Sequence, residues 1–276
     1  MLSYLLNQKL YTVKRKSNLL LLFGAAMFVG SAWLQSCSKP TAETADTTPP
    51  ADTTPPINKL TQAETEAGWE LLFNGRDLDG WKRYGHDTIG PLWTVRDSAI
   101  VVDGTGLGEG SGKFGGSLMT IKQYGNFELT VDWKLTAPGG NSGIIYHVVE
   151  KPEYKTDYAT GPEAQIIDDA GWKGDLTAAQ KVGSNYDMFP ADSSKQVNPV
   201  GEWNTTRVVY LNGHVEHWLN GKKVVEFEEG SPEYEAAYKK SKWVDYPGWN
   251  KYKVGSISLQ DHGAPVFFRN IKIRSL

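Results

Sequence analysis

Three short stretches of the sequence carry side chains able to move protons. The first is Glu163-Ala-Gln-Ile-Ile-Asp168. Side chains of an extended strand alternate between faces, so Glu163, Gln165 and Ile167 share one face and Ala164, Ile166 and Asp168 the other. Ala164 and Ile166 suit a core, which sends Glu163 and Gln165 outward as a candidate base or acid with a polar neighbour. A bulge at the Asp168-Asp169 pair would return one aspartate to the Glu163 face. The second stretch is Ser142-Gly-Ile-Ile-Tyr-His147. Its histidine titrates near neutrality and can accept or donate a proton, unless it is a core residue bonded to the backbone. Both faces of residues 143–149 are mostly apolar, so alternation leaves open which one points outward. The third is Gln260-Asp261-His262-Gly263. A histidine at a strand end beside an aspartate is a catalytic or metal-ligand candidate, or else a turn whose aspartate caps backbone amides. A divalent metal ion could be held by Glu163, His147 and His262, although no compact ligand spacing demands one. His214, Glu216 and His217 look richer in ligands, yet His214 and Glu216 alternate with Val215 as a solvated hairpin face does, so they read as structural. The sequence contains no phosphate loop, Gly-x-Ser-x-Gly elbow or zinc-protease helix, and no NAD is expected in this chain.

The elements that must position these groups are short strands. Phe127-Glu-Leu-Thr-Val-Asp-Trp-Lys134 alternates strictly and predicts a half-buried strand, with Phe127, Leu129, Val131 and Trp133 inward. Ala137-Pro-Gly-Gly-Asn-Ser142 is a turn cluster leading into a second strand. Residues 207–211, 214–219 and 222–227 read as three strands joined by Asn212-Gly213 and Asn220-Gly221, dipeptides that supply the positive φ angles of tight hairpins. Residues 256–260 and 266–273 close the chain as strands. One helical candidate, 231–242, opens on Ser-Pro-Glu. Many short strands with glycine-rich turns predict an all-β jelly-roll sandwich with one short helix. Of the ten tryptophans, most are expected in the core; Trp172 and Trp249, in loop-like contexts, are candidates to stack on a sugar ring.

The first 67 residues have a different texture. Residues 1–18 carry four basic residues and no acids, an apolar run fills 19–29, and Leu-Gln-Ser-Cys37 follows. This is the layout of a secretory signal, and the apolar run is too short to span a bilayer. The cut site resembles a bacterial lipobox, which implies lipidation of Cys37, the sole cysteine of the chain. The expected organisation is a signal over 1–36, a lipid-anchored tether over 37–67 that contains two copies of Asp-Thr-Thr-Pro-Pro, and one domain over 68–276. Such a protein is anchored to a membrane, in the periplasm or at the outer membrane. Without residues 1–36 the chain has 25 basic and 32 acidic residues, a net charge of −7. That balance argues against nucleic acid as a partner.

Seven stretches, taken together and in order, resemble the 3-keto-disaccharide hydrolase family. They are Trp69-Glu-Leu-Leu-Phe-Asn-Gly-Arg-Asp-Leu-Asp-Gly-Trp81, Gly139-Gly-Asn-Ser-Gly-Ile144, Gly161-Pro-Glu-Ala-Gln-Ile-Ile-Asp168, Gly201-Glu-Trp-Asn204, His217-Trp-Leu-Asn-Gly221, Leu259-Gln-Asp-His-Gly263 and Phe268-Arg-Asn-Ile271. The resemblance implies a concanavalin-like jelly roll whose concave sheet faces a small carbohydrate. It puts position 147 in the cleft, where many family members carry arginine instead of this histidine. It also implies cleavage of 3-keto-glycosides, whose ketone acidifies the C2 hydrogen. A base removes that hydrogen and the enolate expels the C1 substituent. Addition of water makes the net reaction hydrolysis; stopping earlier makes it a lyase step. On this reading His147 or Glu163 is the base, and Lys134, Gln165 or a metal polarises the ketone. Asp168 or His262 donates the proton, and Asn141 and Asp261 join Lys134 and Gln165 in binding substrate. A separate NAD-dependent oxidoreductase would supply the keto sugar. Two other readings stand beside it. Conventional retaining hydrolysis needs two carboxylates about 5–5.5 Å apart, whereas glutamine and isoleucine follow Glu163 on its face. A non-catalytic glycan-binding module would use the same fold.

Overall fold

The computed structural model describes residues 56–104 and 115–276. The expected export signal, Cys37, the first Asp-Thr-Thr-Pro-Pro copy and all but the last residue of the second lie outside the described residues. In chain order the strands are β1 (Glu70–Leu71), β2 (Trp81–Arg83), β3 (Trp93–Arg96), β4 (Ala99–Val102), β5 (Leu118–Thr120), β6 (Phe127–Leu135), β7 (Asn141–Val148), β8 (Glu163–Ile167), β9 (Asn204–Leu211), β10 (His214–Leu219), β11 (Lys222–Glu228), β12 (Ser256–Leu259) and β13 (Val266–Ser275). They form two antiparallel sheets. The back sheet runs β11-β10-β9-β6-β13-β4-β3, with β1 added against β13; the front sheet runs β2-β5-β12-β7-β8. This is the expected all-β jelly-roll type of sandwich.

The core lies between the sheets. Phe127, Leu129, Val131 and Trp133 of β6 are buried there, as alternation predicts, against Ile144, Tyr146, Ala164, Ile166 and Leu259 of the front sheet. Each large side chain contributes about 1.5–3 kcal/mol by leaving water. With no disulfide among the described residues, this packing carries the fold. Both Asn-Gly turns close hairpins with positive φ, 51° and 92° at Asn212 and Gly213 and 47° and 81° at Asn220 and Gly221.

Two expectations are corrected. The tether is shorter than the composition suggests. Asn58 is buried and exchanges hydrogen bonds with Asn270, and Glu64 pairs with Lys272 at 2.7 Å. A helix α1 (Gln62–Glu66), capped reciprocally by Thr61 and Glu64, sits in this stretch. The helix in the 231–242 stretch, α2 (Pro232–Tyr238), is therefore not alone; Ser231 caps it by accepting from the Tyr234 amide at 3.1 Å.

The second correction is His147. Ser256 pairs with Val148 and Ser258 with Ile145, so Tyr146 and His147 together oppose the single residue Ile257. His147 takes φ +57° and follows Tyr146 into the interior. Its Nε2 bonds the Gly125 carbonyl at 2.9 Å and its ring stands edge-on to Tyr210 at 4.4 Å. It is fully buried, so neither the cleft nor a shared metal includes it. Burial pulls its pKa from 6.5 down to about 4, and does the same for His217, whose Nε2 lies 3.4 Å from the Tyr146 hydroxyl. A base depressed in the folded state stabilises fully above its unfolded pKa. Its contribution is lost as pH falls from 6.5 through 4, at about 1.4 kcal/mol per pH unit. Urea titrations of wild type and His147→Gln should therefore converge by about 3 kcal/mol between pH 7 and pH 4; parallel stability profiles would refute the buried neutral imidazole.

Candidate active site

The outer face of the front sheet carries the site. Strand register places Ser258, Ile145 and Glu163 side by side across β12, β7 and β8. Ala164 bridges Asn185 in the next extended segment, and the Tyr186 amide donates to the Glu163 carbonyl at 3.0 Å. Tyr186 thus continues the same row. Gln260, two residues beyond Ser258, shares its face, and its amide bonds the Gly143 carbonyl at 2.9 Å.

Glu163 is 4% exposed on this floor. Its carboxylate lies sideways over Gly143. A Cβ at position 143 would meet Oε1 at 2.0 Å, Cδ at 2.7 Å and Cγ at 2.8 Å. Glycine weakens a strand interior; here its missing side chain is the space the carboxylate fills. A second acid, Asp157, sits near the row on a short 3-10 turn (Asp157–Ala159). Its carboxylate accepts from Ser258 Oγ at 2.6 Å and from the Tyr158 amide at 3.0 Å. Burial pushes its pKa up against these bonds and one from Ser117.

Loops build the walls. Tyr158 packs against a small cluster of Met119, Ile145 and Val148. The Lys242 ammonium rides over three rings, 4.5 Å from Trp243, 4.6 Å from Tyr186 and 5.5 Å from Tyr158. Trp243 is fully buried, and its indole N–H donates to the Tyr186 carbonyl at 2.9 Å. His262 stands edge-on to Trp172 at 6.2 Å, both half-buried. Burial lowers the His262 pKa; its own backbone and Asp261 oppose the fall and Lys242 adds to it, so the ring is neutral at pH 7.

The other expected site residues are placed elsewhere. Lys134 belongs to β6 of the back sheet, where it caps Trp203 and Phe267 at 4.8 and 5.1 Å. Gln165 shares the face of Glu163, but residues 178–184 cover it: its amide reaches the Gln180 carbonyl at 3.4 Å and accepts from the Ile166 N–H at 2.9 Å. Asp168 is a clamp. It accepts from the amides of Gly139 at 2.9 Å and Ala170 at 3.2 Å, tying the 137–140 turn to the loop that presents Trp172. Asp261 is fully buried and accepts from the amides of Gly116 and Gly263 at 3.1 and 3.0 Å, the turn-capping alternative. Asn141, at the start of β7, is buried on the Gly143 face with Oδ1 unbonded. Trp249 is core, stacked on Trp243 at 5.0 Å. A cavity of about 190 Å³ near Trp133, Ile167 and Val197 is largely apolar and lies off this floor.

The expected metal set is not assembled, because His147 points into the core while Glu163 and His262 face the cleft. Among the described residues, the one His-and-acid group close enough for a metal is His214, Glu216 and Glu226 on the β10–β11 hairpin. Lys223 already bonds Glu216 at 3.1 Å and Glu226 at 2.7 Å there.

Residues 68–274 match the 3-keto-alpha-glucoside-1,2-lyase-like domain. The chain belongs to the 3-keto-alpha-glucoside-1,2-lyase-like family. A 3-keto-disaccharide hydrolase of Bacteroides thetaiotaomicron is 32% identical over 233 residues, 76% of this chain and 79% of that protein. A candidate glycosyl hydrolase of Parabacteroides distasonis, solved by crystallography, superposes with TM-score 0.72 at 41% identity, over 80% of this chain and all of that one. A second from the same organism gives TM-score 0.55 at 28% identity, over 75% and 99%.

Within this 3-keto-alpha-glucoside-1,2-lyase-like domain, sequence reasoning missed Asp157, Tyr158, Tyr186 and Lys242. All four lie in irregular segments, where no periodicity assigns a face. The signal that was available is Gly143 itself, an isolated glycine inside an apolar strand run, which marks a close approach.

Proposed function

We propose that this domain cleaves the glycosidic bond of 3-keto-glycosides by first removing the C2 hydrogen, with Glu163 as the base. The observation that carries this reading is a buried carboxylate seated over Gly143, with Gln165 and Ile167 following it on its own strand face. Asp157, the other acid near the row, already accepts from Ser258, Ser117 and the Tyr158 amide. Paired-carboxylate hydrolysis is disfavoured by that arrangement, and family membership supports the keto-sugar route. The C2–H electron pair enters the C2–C3 bond and the carbonyl pair moves to O3. Collapse of that enolate breaks the C1–O bond, and the leaving oxygen takes the proton held on Glu163. A neutral His262 keeps one ring N–H, which is too weakly acidic to serve as the proton donor. It suits the addition step, accepting a proton from the water that joins C1 and passing it to C2. A lyase omits this second half.

The reading includes a lipid on Cys37, attachment in the periplasm or at the outer membrane, and a separate NAD-dependent oxidoreductase that makes the ketone. Purified protein, incubated with a 3-keto-glucoside and with the plain glucoside, with and without a chelator, and followed by NMR in D2O, tests it. Cleavage of the keto sugar alone is expected. Free 3-keto-glucose marks a hydrolase and an accumulating enone a lyase; loss of turnover in chelator adds a metal. Cleavage of the plain glucoside would sink the C2 mechanism. Saturable binding of both sugars without turnover would leave a glycan-binding module.

A further inference from the structure

An elimination through C2 leaves a negative charge on O3, and that charge needs a preformed counter-charge in a site shielded from water. Lys134 is on the other sheet and the Gln165 amide is bonded under residues 178–184. The floor around Glu163 must take its positive charge from elsewhere, and Lys242, an exposed residue whose ammonium lies over the rings of Tyr158 and Tyr186, is the candidate.

Its placement follows from the row of side chains already described. Tyr186 lies beside Glu163 across the added strand segment, and Tyr158 packs against the cluster that contains Ile145, the neighbour of Glu163 on the opposite side. The Lys242 ammonium lies over both tyrosine rings, 4.6 Å from Tyr186 and 5.5 Å from Tyr158, on the side of the sheet that carries this row. Its backbone is fixed at the start of a 3-10 turn (Lys242–Asp245). Asp187 accepts from the Lys242 amide at 2.7 Å, and Ser241 Oγ accepts from the Trp243 amide at 3.2 Å. Trp243 is fully buried and anchors the turn. No carboxylate among the described residues lies within ion-pair distance of the ammonium. A surface lysine ordinarily sweeps a wide volume; this one hovers over three ring faces that attract cations.

We propose that Lys242 stabilises the developing O3 oxyanion of the keto sugar bound over Glu163. The assignment rests on the C2 mechanism proposed above. Deprotonation moves the C2–H pair into C2–C3 and the carbonyl pair onto O3; the proton goes to Glu163, and Lys242 remains protonated, contributing charge and a hydrogen bond only. An interaction made mainly in the transition state lowers kcat when removed and leaves KM nearly unchanged.

The test compares wild type, Lys242→Met and Lys242→Arg on a 3-keto-glucoside, with two readouts: steady-state cleavage, and exchange of the C2 hydrogen of free 3-keto-glucose for deuterium. Lys242→Met should lower kcat and the exchange rate together, about 100- to 1000-fold, with KM changed less than about threefold. Lys242→Arg should recover part of both, and circular dichroism and thermal melts should match wild type. Should Lys242→Met misfold, Lys242→Gln carries the same comparison. Wild-type exchange with unaffected exchange in the Met variant would overturn the lysine assignment alone. A wild type that neither exchanges the C2 hydrogen nor cleaves the keto sugar would overturn the C2 mechanism and the lysine with it.

Discussion

Glu163→Gln should lower kcat/KM on a 3-keto-glucoside by about 100- to 10,000-fold, the span that a positioned general base contributes. The amide matches the carboxylate in shape, so the side chain still fits over Gly143 and substrate still binds. It cannot take the C2 proton. The loss should therefore appear in kcat, with deuterium exchange at C2 falling in parallel and the melting curve close to wild type. A loss below about tenfold would remove Glu163 from the role of base and return attention to Asp157 or His262.

Gly143→Ala should be nearly as damaging, for a reason of space rather than charge. The φ of Gly143 is not in the left-handed region, so alanine is no strain on the backbone. The new methyl would nevertheless fall 2.0 Å from Glu163 Oε1 and under 3 Å from Cδ and Cγ, which forces the whole carboxylate end aside. Overpacking of this kind costs about 1–3 kcal/mol. Activity should fall by at least as much as a misplaced base allows, about 100-fold. A double-mutant cycle separates the two effects: Gly143→Ala on a Glu163→Ala background has nothing left to strike, so its stability cost should shrink. An undiminished cost would mean that the methyl strikes something other than Glu163.

Most strands from β6 onward were legible because they carry alternation or an Asn-Gly turn, and β7 because an apolar run follows a turn cluster. Those before it were not, since β1 to β5 are two to four residues long and interrupted by turns. The faces of β8 were also legible: Ala164 and Ile166 fixed the inward side, and Glu163 followed outward. His147 was beyond reach, because a bulge exists only in the pairing of two strands; nothing local says that Tyr146 and His147 will share one partner residue. Lys134 failed for a topological reason. Its own strand reads correctly, but sheet membership is decided by β9 and β13, far along the chain. Asp261 was recognisable as a turn residue that caps amides, whereas Asp168 read as a proton donor; both carboxylates are occupied by backbone amides.

Glu163 stands on a strand locked between neighbours, whereas Tyr186 and Lys242 stand on two long excursions, the chain between β8 and β9 and that between β11 and β12. The base is therefore fixed in the sheet, while the oxyanion lysine and the walls that set the fit ride on the excursions. Duplicated copies of such a gene can exchange loop sequence and acquire new aglycones while the reactive carboxylate is inherited untouched. Divergence among paralogues should accordingly concentrate in those two excursions, and a chimaera that swaps them but keeps Lys242 should change which glycoside is accepted before it changes which bond is broken.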